Sequence, residues 1–348
     1  MLEELLEEKE LEGILFFSPE NLRYLSGFTG GEGVLLALKA KRVLLVDFRY
    51  LEQAQEEVSG SEVQRLEGGM KGVAQALRRF DLRRVGLEAQ GLSLAGYGKL
   101  AEEAQGVEFV PLDRDLEALR RRKGPEEVER IRRAVEMAEG ALKEVLEMIR
   151  PGVKESEVAL ELEFRMRRLG SEGVAFDPIV ASGPRSALPH AKPSLREIRE
   201  GDVVIVDFGA RFDGYCSDET RTFFVGRPEE ELRKVYRVVK EAHDRALEAI
   251  KPGVPLKEID RRARDHIKEA GYGDYFGHGT GHGVGLVVHE PPTVNEEAQG
   301  EAEVGMVFTV EPGIYLPDRG GVRIEDLVLV TEGGCQVLTG ADEGPEIL

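Results

Sequence analysis

One stretch of the sequence occurs twice, and this repeat restricts the fold more than any other feature. Residues 149–153 (IRPGV) return as residues 250–254 (IKPGV), and each copy follows a helical pattern. A second helical pattern comes next in both copies and ends at a glycine, Gly170 or Gly271, so the offset is constant. Because a single copy cannot bury its apolar face alone, the repeat predicts two related halves packed about an approximate two-fold axis.

Each copy continues into two apolar strands that carry acids at corresponding positions. The first strands contain Asp207 and Glu311, and the return strands contain Asp218 and Glu325. A carboxylate in an apolar strand is costly to bury unless it is paired or binds a metal. We therefore expect these four acids to converge near the two-fold axis.

A glycine-rich stretch at residues 276–285 (FGHGTGHGVG) has glycine at every second position from 277 onward. Each glycine would cost a helix about 1 kcal/mol, so the backbone is expected to be extended or looping. On a strand His278 and His282 then share one face, and something must approach the backbone closely. No apolar strand leads into the stretch and no Lys-Ser/Thr follows it, which disfavours a phosphate-binding loop. Considered alone, the stretch also fits a structural strand crossing with hydrogen-bonded histidines.

Composition excludes several classes of partner. The formal net charge of −19 argues against binding to nucleic acid or to an anionic membrane. The first eight residues are acidic, unlike a signal peptide, and no apolar run reaches the ~20 residues of a membrane span. Two cysteines, Cys216 and Cys335, provide no disulfide framework. These features predict a cytoplasmic protein, and a 32% charged content with only two asparagines is typical of a thermophile.

The chain is long enough for two domains. In residues 1–122 short apolar runs alternate with amphipathic segments, which predicts a small α/β domain without a histidine. A charge cluster at residues 120–123, followed by Gly124 and Pro125, marks the boundary to a second domain at 123–348. In the first domain we predict strands at 13–17, 34–38 and 42–47 and helices at 50–58 and 73–80.

Four carboxylates and one imidazole are sufficient to hold two divalent metal ions with a water between them. Such oxygen-rich ligands favour Mn²⁺ or Co²⁺, and Zn²⁺ is also compatible. Two ions about 3.5–4 Å apart lower the pKa of the shared water and polarise a carbonyl, so the residues predict a hydrolase.

At this level of detail the chain resembles the metallopeptidases with the pita-bread fold, which include methionine aminopeptidase, aminopeptidase P and prolidase. The resemblance covers nearly the whole sequence. It rests on motifs that occur in the order of the family, namely Asp207-Phe-Gly, Ser217-Asp-Glu-Thr-Arg-Thr, His278-Gly-Thr-Gly-His, Glu311-Pro-Gly and Arg323-Ile-Glu-Asp. It implies an α/β amino-terminal domain, as in aminopeptidase P, prolidase and creatinase, plus an α+β pita-bread catalytic domain with an internal pseudo-two-fold duplication.

The resemblance also assigns roles to individual residues. The metal ligands it implies are Asp207, Asp218, His282, Glu311 and Glu325, with Asp218 and Glu325 bridging the ions. Because all five are present, creatinase, which dispenses with the metals, and a non-catalytic binding protein on the same fold are disfavoured. Methionine aminopeptidase is disfavoured because it normally lacks a domain like residues 1–122.

Histidines and an arginine complete the implied site. By the resemblance, His289 stabilises the tetrahedral intermediate, His190 and His278 hold the substrate, and Glu311 also passes protons to the departing nitrogen. Arg323 lies two residues from Glu325, on the same strand face, and is expected to orient the site. The resemblance implies a homodimer as well.

The sequence leaves the length of the substrate open. Prolidases cut only dipeptides and need a cation for the substrate carboxylate, and some short microbial prolidases read His-Glu-x-Pro-Arg after the histidine. In this chain Thr293 occupies the position of that arginine. Arg185 and Arg319 are the candidates for a different cation that holds the substrate carboxylate. This departure favours an Xaa-Pro aminopeptidase, with an Xaa-Pro dipeptidase as the alternative.

The remaining polar residues are expected to have structural or surface positions. We expect His243 and His266 at the surface because their neighbours are charged, and Tyr315 in ordinary packing. Cys216 is expected to be a buried thiol, and Asp326 a solvated or hydrogen-bonded acid.

Overall fold

The computed structural model describes residues 2–112, 114–340 and 348. The chain divides into two compact units, Met1–Arg120 and Arg121–Leu348. The helices are α1 (Leu2–Glu8), α2 (Pro19–Ser26), α3 (Leu51–Glu57), α4 (Met70–Arg79), α5 (Leu94–Glu103), α6 (Arg114–Glu117), α7 (Pro125–Val145), α8 (Glu155–Arg168), α9 (Glu230–Ala249) and α10 (Leu256–Glu269).

The strands are β1 (Gly13–Phe16), β2 (Val34–Ala37), β3 (Arg42–Val46), β4 (Glu62–Arg65), β5 (Arg84–Glu88), β6 (Glu108–Leu112), β7 (Gly173–Val174), β8 (Ile179–Ser182), β9 (Val203–Phe208), β10 (Ala210–Phe212), β11 (Tyr215–Cys216), β12 (Glu219–Phe224), β13 (Gly281–Gly283), β14 (Glu290–Val294), β15 (Val307–Val310), β16 (Gly313–Leu316), β17 (Gly320–Arg323), β18 (Asp326–Thr331) and β19 (Gly334–Val337). Among the described residues, no helix combines the length and the apolar character of a membrane span.

The amino-terminal unit is built on a mixed sheet with the strand order β4-β3-β2-β1-β5-β6. Both faces of this sheet are covered: Ile14 and Phe16 of β1 enter one apolar core, while Leu15 enters the other. This alternation follows from the two-residue period of a strand. The predicted α/β class is therefore confirmed for this unit, and the three predicted strands end within one residue of β1, β2 and β3.

The larger unit contains the predicted duplication. The helix pair α7 and α8 precedes a sheet with the order β12-β9-β8, and the pair α9 and α10 precedes a sheet in which β18, β15 and β13 are neighbours. In both halves the central strand pairs antiparallel with the strand that follows the acid-bearing turn. The two related halves that the repeat predicted are thus present, and their arrangement is the pita-bread fold that the resemblance implied.

Hydrogen bonds repeat together with the sequence. Gly152 N donates to Ile198 O over 2.9 Å in the first half, and Gly253 N donates to Ala302 O over 2.9 Å in the second. Both glycines have positive φ, 89° and 83°, in the turn between the paired helices. Because L side chains rarely adopt this conformation, the repeated Pro-Gly is a requirement of the turn. The predicted helix before it is shorter than expected, since α7 ends at Val145 and continues as a 3₁₀ turn, Leu146–Met148.

The glycine-rich stretch is partly looping and partly extended, since only Gly281–Gly283 form a strand, and the close approach comes from the chain itself. A Cβ atom at Gly281 would lie 1.9 Å from Thr309 O, and one at Gly283 would lie 2.3 Å from Pro291 O. These two glycines belong to β13, which lies between β14 and β15. The missing side chains therefore allow the strand that carries His282 to fit between its two neighbours.

Candidate active site

A cavity of about 330 Å³ in the larger unit brings the predicted site residues together. Its walls include both strands and connecting turns of the two halves. The predicted residues that line it are His190, Asp207, Asp218, His278, His282, His289, Glu311, Arg323 and Glu325, and Phe176, Ile179, Pro189, Gly279, Gly281, Thr293 and Asn295 complete the lining. The convergence expected from the repeat is thus found in the structure.

Strand register places the acids opposite one another. In the β9–β12 pair Asp207 is opposite Thr220, and Thr220 in turn forms an isolated antiparallel bridge with Glu325. The Thr220 hydroxyl donates to Glu325 Oε2 over 2.6 Å. Asp218 lies in the turn between β11 and β12, and Glu325 lies at the corresponding break between β17 and β18. The two halves therefore present their acids from equivalent irregular positions.

His282 has one ring nitrogen directed at the acids. Its Nδ1 lies 3.2 Å from Gly283 O and donates to this carbonyl, while Nε2 lies 3.5 Å from Asp218 Oδ2 and 3.4 Å from Glu311 Oε1. Burial lowers the pKa of His282, so the ring is neutral and Nε2 carries a lone pair. A lone pair that faces two carboxylates is repelled unless a cation lies between them.

The buried carboxyl groups need nearby positive charge in order to be ionised. The pKa of Asp218 lies well above its ordinary value because the carboxyl is buried and because Glu325 and Asp207 repel its charge. Burial, together with repulsion by Glu311, raises the pKa of Glu325 in the same way. Asp207 Oδ1 is buried without a hydrogen-bond partner. Such a cluster is stable in ionised form only with added cations.

These observations fit divalent metal ions. One ligand atom each from Asp218, His282 and Glu325 lies within 4.8 Å of the others. Asp207 and Glu311 border the same cavity and supply further carboxylate oxygens. Bound divalent ions would supply Lewis acidity, which activates water and polarises a carbonyl. The donor set, with four carboxylates and one imidazole, is the type that such ions accept.

Arg323, which the sequence analysis named as a residue that orients the site, lies on one side of the cavity and is fully hydrogen-bonded there. Its Nη2 donates to Asp207 Oδ2 over 2.6 Å, its Nε donates to Thr220 Oγ1 over 3.0 Å, and its Nη1 donates to the carbonyl of Pro189. The side chain is only 4% exposed. All three guanidinium nitrogens are engaged, so Arg323 orients the acid and is not available as a separate anchor for a substrate carboxylate.

Tyr315 corrects the expectation of ordinary packing. Its hydroxyl accepts a hydrogen bond from Arg323 Nη1 and lies 2.9 Å from His278 Nε2. Because His278 Nδ1 donates to Gly279 O over 2.8 Å, Nε2 accepts the proton of the tyrosine. Burial lowers the pKa of His278 and raises that of Tyr315, so both stay neutral in this chain of hydrogen bonds. Tyr315 therefore fixes the tautomer of a histidine that lines the cavity.

A buried ion pair stabilises the hairpin of β13 and β14, whose loop carries His289. Lys123 Nζ lies 2.8 Å from Glu290 Oε1, with the two side chains 1% and 3% exposed. The Glu290 carboxylate lies against Gly285, where a Cβ atom would meet Oε1 at 2.4 Å. Lys123 N also donates to Gly305 O at the start of β15. The sequence treated this lysine only as part of a boundary cluster, and nothing in its charged surroundings indicated burial.

The arginines named as substitutes for a carboxylate anchor lie elsewhere. Arg185 donates to Glu155 Oε2 over 3.0 Å and to the carbonyl of Lys192, and Arg319 pairs with Glu229. Neither lines the cavity, and Arg323 is the one lysine or arginine among its described lining residues. Thr293 is exposed at the cavity.

His243 was expected at the surface, and this prediction is wrong. Its side chain is 1% exposed, with Nε2 3.1 Å from Asp326 Oδ2. It lies on the same side of α9 as the buried residues Val239 and Ala246. The spacing of the apolar residues in α9 places His243 on the buried face, whereas its charged neighbours had suggested the surface. Cys216 is buried, as expected.

The acid-rich cavity on a duplicated α+β fold defines the protein as a metallo-exopeptidase. Comparison with known proteins gives the same result. Residues 129–332 match the model of metallopeptidase family M24, and residues 1–122 match that of the creatinase/prolidase N-terminal domain. The chain belongs to metallopeptidase family M24, and it accordingly uses divalent metal.

Three relatives illustrate the similarity. An Xaa-Pro dipeptidase of Pyrococcus furiosus is 41% identical over 335 residues, which cover 96% of this chain and 95% of the relative. The structure of an Xaa-Pro dipeptidase from Bacillus anthracis is 42% identical with a TM-score of 0.96, and the match covers 100% of this chain and 98% of the other. The structure of an X-Pro aminopeptidase from Thermotoga maritima is 39% identical with a TM-score of 0.90, covering 97% and 98%.

Proposed function

We propose that the protein is an Xaa-Pro dipeptidase that hydrolyses the bond before proline with two divalent ions. The observation that carries the proposal is the convergence of Asp218, His282 and Glu325 in one cavity, with ligand atoms within 4.8 Å of one another. The two Xaa-Pro dipeptidases among the relatives above support the substrate class. They support the dipeptidase better than the aminopeptidase that the sequence favoured.

Asp207, Asp218, His282, Glu311 and Glu325, which all line the cavity, would hold the ions, and the family resemblance assigns Asp218 and Glu325 to both of them. Their oxygen-rich character favours Mn²⁺, with Co²⁺ and Zn²⁺ as alternatives. The lone pair of His282 Nε2, which faces Asp218 and Glu311, supports its role as a ligand.

The remaining polar residues would act on the substrate. Glu311 would move a proton from the attacking water to the departing proline nitrogen, a role that suits a carboxyl whose pKa is raised by burial. His289 would donate to the oxygen that becomes negative when the carbonyl is attacked. His190 and His278 would hold the peptide at the cavity wall. The Xaa-Pro bond has no N–H, so these contacts would be made to the carbonyl and the termini.

An Xaa-Pro aminopeptidase is the second candidate, and two observations favour it. Thr293 offers no positive charge, and the single arginine among the described lining residues, Arg323, is engaged with Asp207. The structure from Thermotoga maritima is reported as an X-Pro aminopeptidase. An enzyme of that type leaves the carboxyl side of the substrate open.

The proposal extends to the organisation of the chain. It takes 1–122 as a creatinase/prolidase-type amino-terminal domain and 123–348 as the catalytic domain, in a cytoplasmic homodimer from a thermophile. The low asparagine content and the 32% charged content support a thermophilic source. Light scattering that gives a single monomeric species would contradict the dimer.

The test is a comparison of substrates after metal exchange. The protein is stripped with a chelator, restored with Mn²⁺, and assayed with Ala-Pro, Ala-Pro-Ala and Ala-Ala. Hydrolysis of Ala-Pro alone is expected. Cleavage of Ala-Pro-Ala at a similar rate would establish the aminopeptidase, and inactivity on both would contradict either function.

A matched pair of variants tests whether hydrolysis depends on the acids of the cavity. Asp218→Asn is expected to abolish hydrolysis. Asp213→Asn, which changes an acid in the turn between β10 and β11 and outside the cavity, is expected to keep it.

A further inference from the structure

Behind the acids of the cavity lies a second, buried group of charges. On β12 Thr220 is directed at Glu325 of the cavity, whereas the next residue, Arg221, is directed at Asp326. Successive side chains of a strand lie on opposite faces, so this group occupies the rear of the same strand crossing. Nothing in the proposed reaction uses it. Its members are Glu219, Arg221, His243, Asp326 and Thr339.

Arg221 contacts the crossing itself. Its Nη1 donates to Glu325 O over 2.6 Å and to Thr220 O over 3.1 Å. These are the backbone carbonyls of the two residues that form the isolated bridge between β12 and β18. Glu325 N closes the bridge by donating to Thr220 O over 3.1 Å. Nη1 of Arg221 therefore links the backbones of the two halves at the point from which their acidic side chains enter the cavity.

The other terminal nitrogen of Arg221 is fixed by further groups. Nη2 donates to Asp326 Oδ1 over 2.8 Å and to Gly340 O over 2.5 Å. It also lies 2.8 Å from Glu219 Oε1. Asp326 is held in turn by the Thr339 hydroxyl over 2.6 Å and by His243 Nε2 over 3.1 Å. Arg221 therefore has one orientation.

Building on the proposed function, we propose that Arg221 is a positioning residue for the metal centre. Held by Asp326 and His243 behind the sheet, it fixes the crossing of β12 and β18. It thereby sets the spacing of Asp218 and Glu325, the two acids assigned to both ions. The residue acts through the backbone and touches neither substrate nor metal.

Geometry, more than charge, gives this role to arginine. A planar guanidinium bonds two carbonyls with one nitrogen and a carboxylate with another, whereas a lysine ammonium is a single point of charge. Arg221→Lys therefore keeps the positive charge beside Glu219 and Asp326 but cannot reproduce all contacts. Loss of a group that orients metal ligands typically lowers metal affinity about 10- to 100-fold. We expect a loss in this range for Arg221→Lys.

The control is Arg196→Lys. Arg196 forms a two-point pair with Asp202, with distances of 2.5 Å and 2.9 Å and side chains 18% and 10% exposed. It lies in the same unit but does not line the cavity. A general loss of stability would therefore appear in both variants, whereas an effect on the metal centre would appear only in Arg221→Lys.

The test is a titration of the metal-free protein with Mn²⁺ alone. Calorimetry gives the affinity, and electron paramagnetic resonance gives the fraction of Mn²⁺ that is exchange-coupled as a pair. Arg221→Lys is expected to bind Mn²⁺ at least about tenfold more weakly and with a smaller coupled fraction. Arg196→Lys is expected to match the parent in both quantities.

Four results would overturn the proposal or separate it from the function. Unchanged affinity and coupling in folded Arg221→Lys would overturn it, as would equal losses in Arg196→Lys. If Arg221→Lys does not fold, His243→Gln is measured in the same way, and an affinity equal to that of the parent overturns the proposal. A parent that binds a single Mn²⁺ would contradict the two-ion function, and the comparison of affinities would still decide the role of Arg221.

Discussion

Replacing Lys123 with methionine tests how the hairpin of His289 is held. The substitution keeps the length of the side chain and removes its charge, so Glu290 remains buried without its cation. The pair is 2.8 Å apart and almost completely shielded from water, at 1% and 3% exposure. Removing one partner of such a pair costs about 3–5 kcal/mol, far more than the same change at an exposed pair. We expect Lys123→Met to lower the free energy of unfolding by about this amount.

The double variant Lys123→Met/Glu290→Gln distinguishes two effects on stability. One is the loss of the ion pair, and the other is the cost of keeping Glu290 charged and buried after Lys123 is replaced. Because neither side chain is then charged, most of the lost stability should return. The hairpin would still lack its ionic anchor, so hydrolysis by both variants should fall about tenfold or more if His289 is displaced. The single variant should lose stability and activity, and the double variant mainly activity.

Denaturant unfolding followed by circular dichroism measures the stability, because the chain has no tryptophan for fluorescence. Lys154→Met is the matched control, since Lys154 pairs with Glu157 at 3.4 Å and both side chains are exposed. Its unfolding midpoint should equal that of the parent. A loss below about 1 kcal/mol for Lys123→Met, or a double variant no more stable than the single one, would refute the reasoning.

Further predictions concern the cavity and the charges behind it. Asp218→Ala should abolish hydrolysis and release metal, and near-normal turnover with metal retained would show that the assignment is wrong. Tyr315→Phe should lower hydrolysis about tenfold without loss of Mn²⁺, because His278 loses its hydrogen-bond donor; an unchanged rate would contradict this. Thr293→Arg should raise kcat/KM for Ala-Pro about tenfold, and an unchanged value would argue against a missing carboxylate anchor. Burial lowers the pKa of His243, but hydrogen bonds to Asp244 and Asp326 outweigh it and raise the pKa. The stabilisation is therefore complete below about pH 6.5 and lost as the pH rises through the raised pKa, so the parent should lose more stability than His243→Gln as the pH is raised above about 6.5, as followed by unfolding midpoints.

The duplication explains why much of the site was predictable. A repeat constrains two segments at once, so the acids Asp207 and Glu311 had to occupy equivalent places once two halves were assumed. The alternating glycines around His282 likewise predicted that another part of the molecule lies close to this backbone. The backbone oxygens of Thr309 and Pro291 are the atoms that do so. In both cases the signal was local in sequence and repeated.

Tyr315 was missed because its contact with His278 joins residues that are far apart in the chain. The hairpin of β16 and β17 sets Tyr315 opposite Gly321 and within reach of Arg323, but only the tertiary fold brings His278 to the same place. His243 was misjudged for another reason, because charged neighbours suggested solvent whereas its side chain meets the buried Asp326. Lys123 was named only as part of the boundary cluster, and no spacing in the sequence indicates its pairing with Glu290.

The two-ion proposal is best tested by titrating metal-free protein with Mn²⁺ and following hydrolysis of Ala-Pro at each addition. We expect no activity without metal and a rise that ends at two ions per chain, the number that the five proposed ligands would hold. Full activity in the metal-free protein, or no hydrolysis of Ala-Pro at any Mn²⁺ concentration, would contradict the proposal.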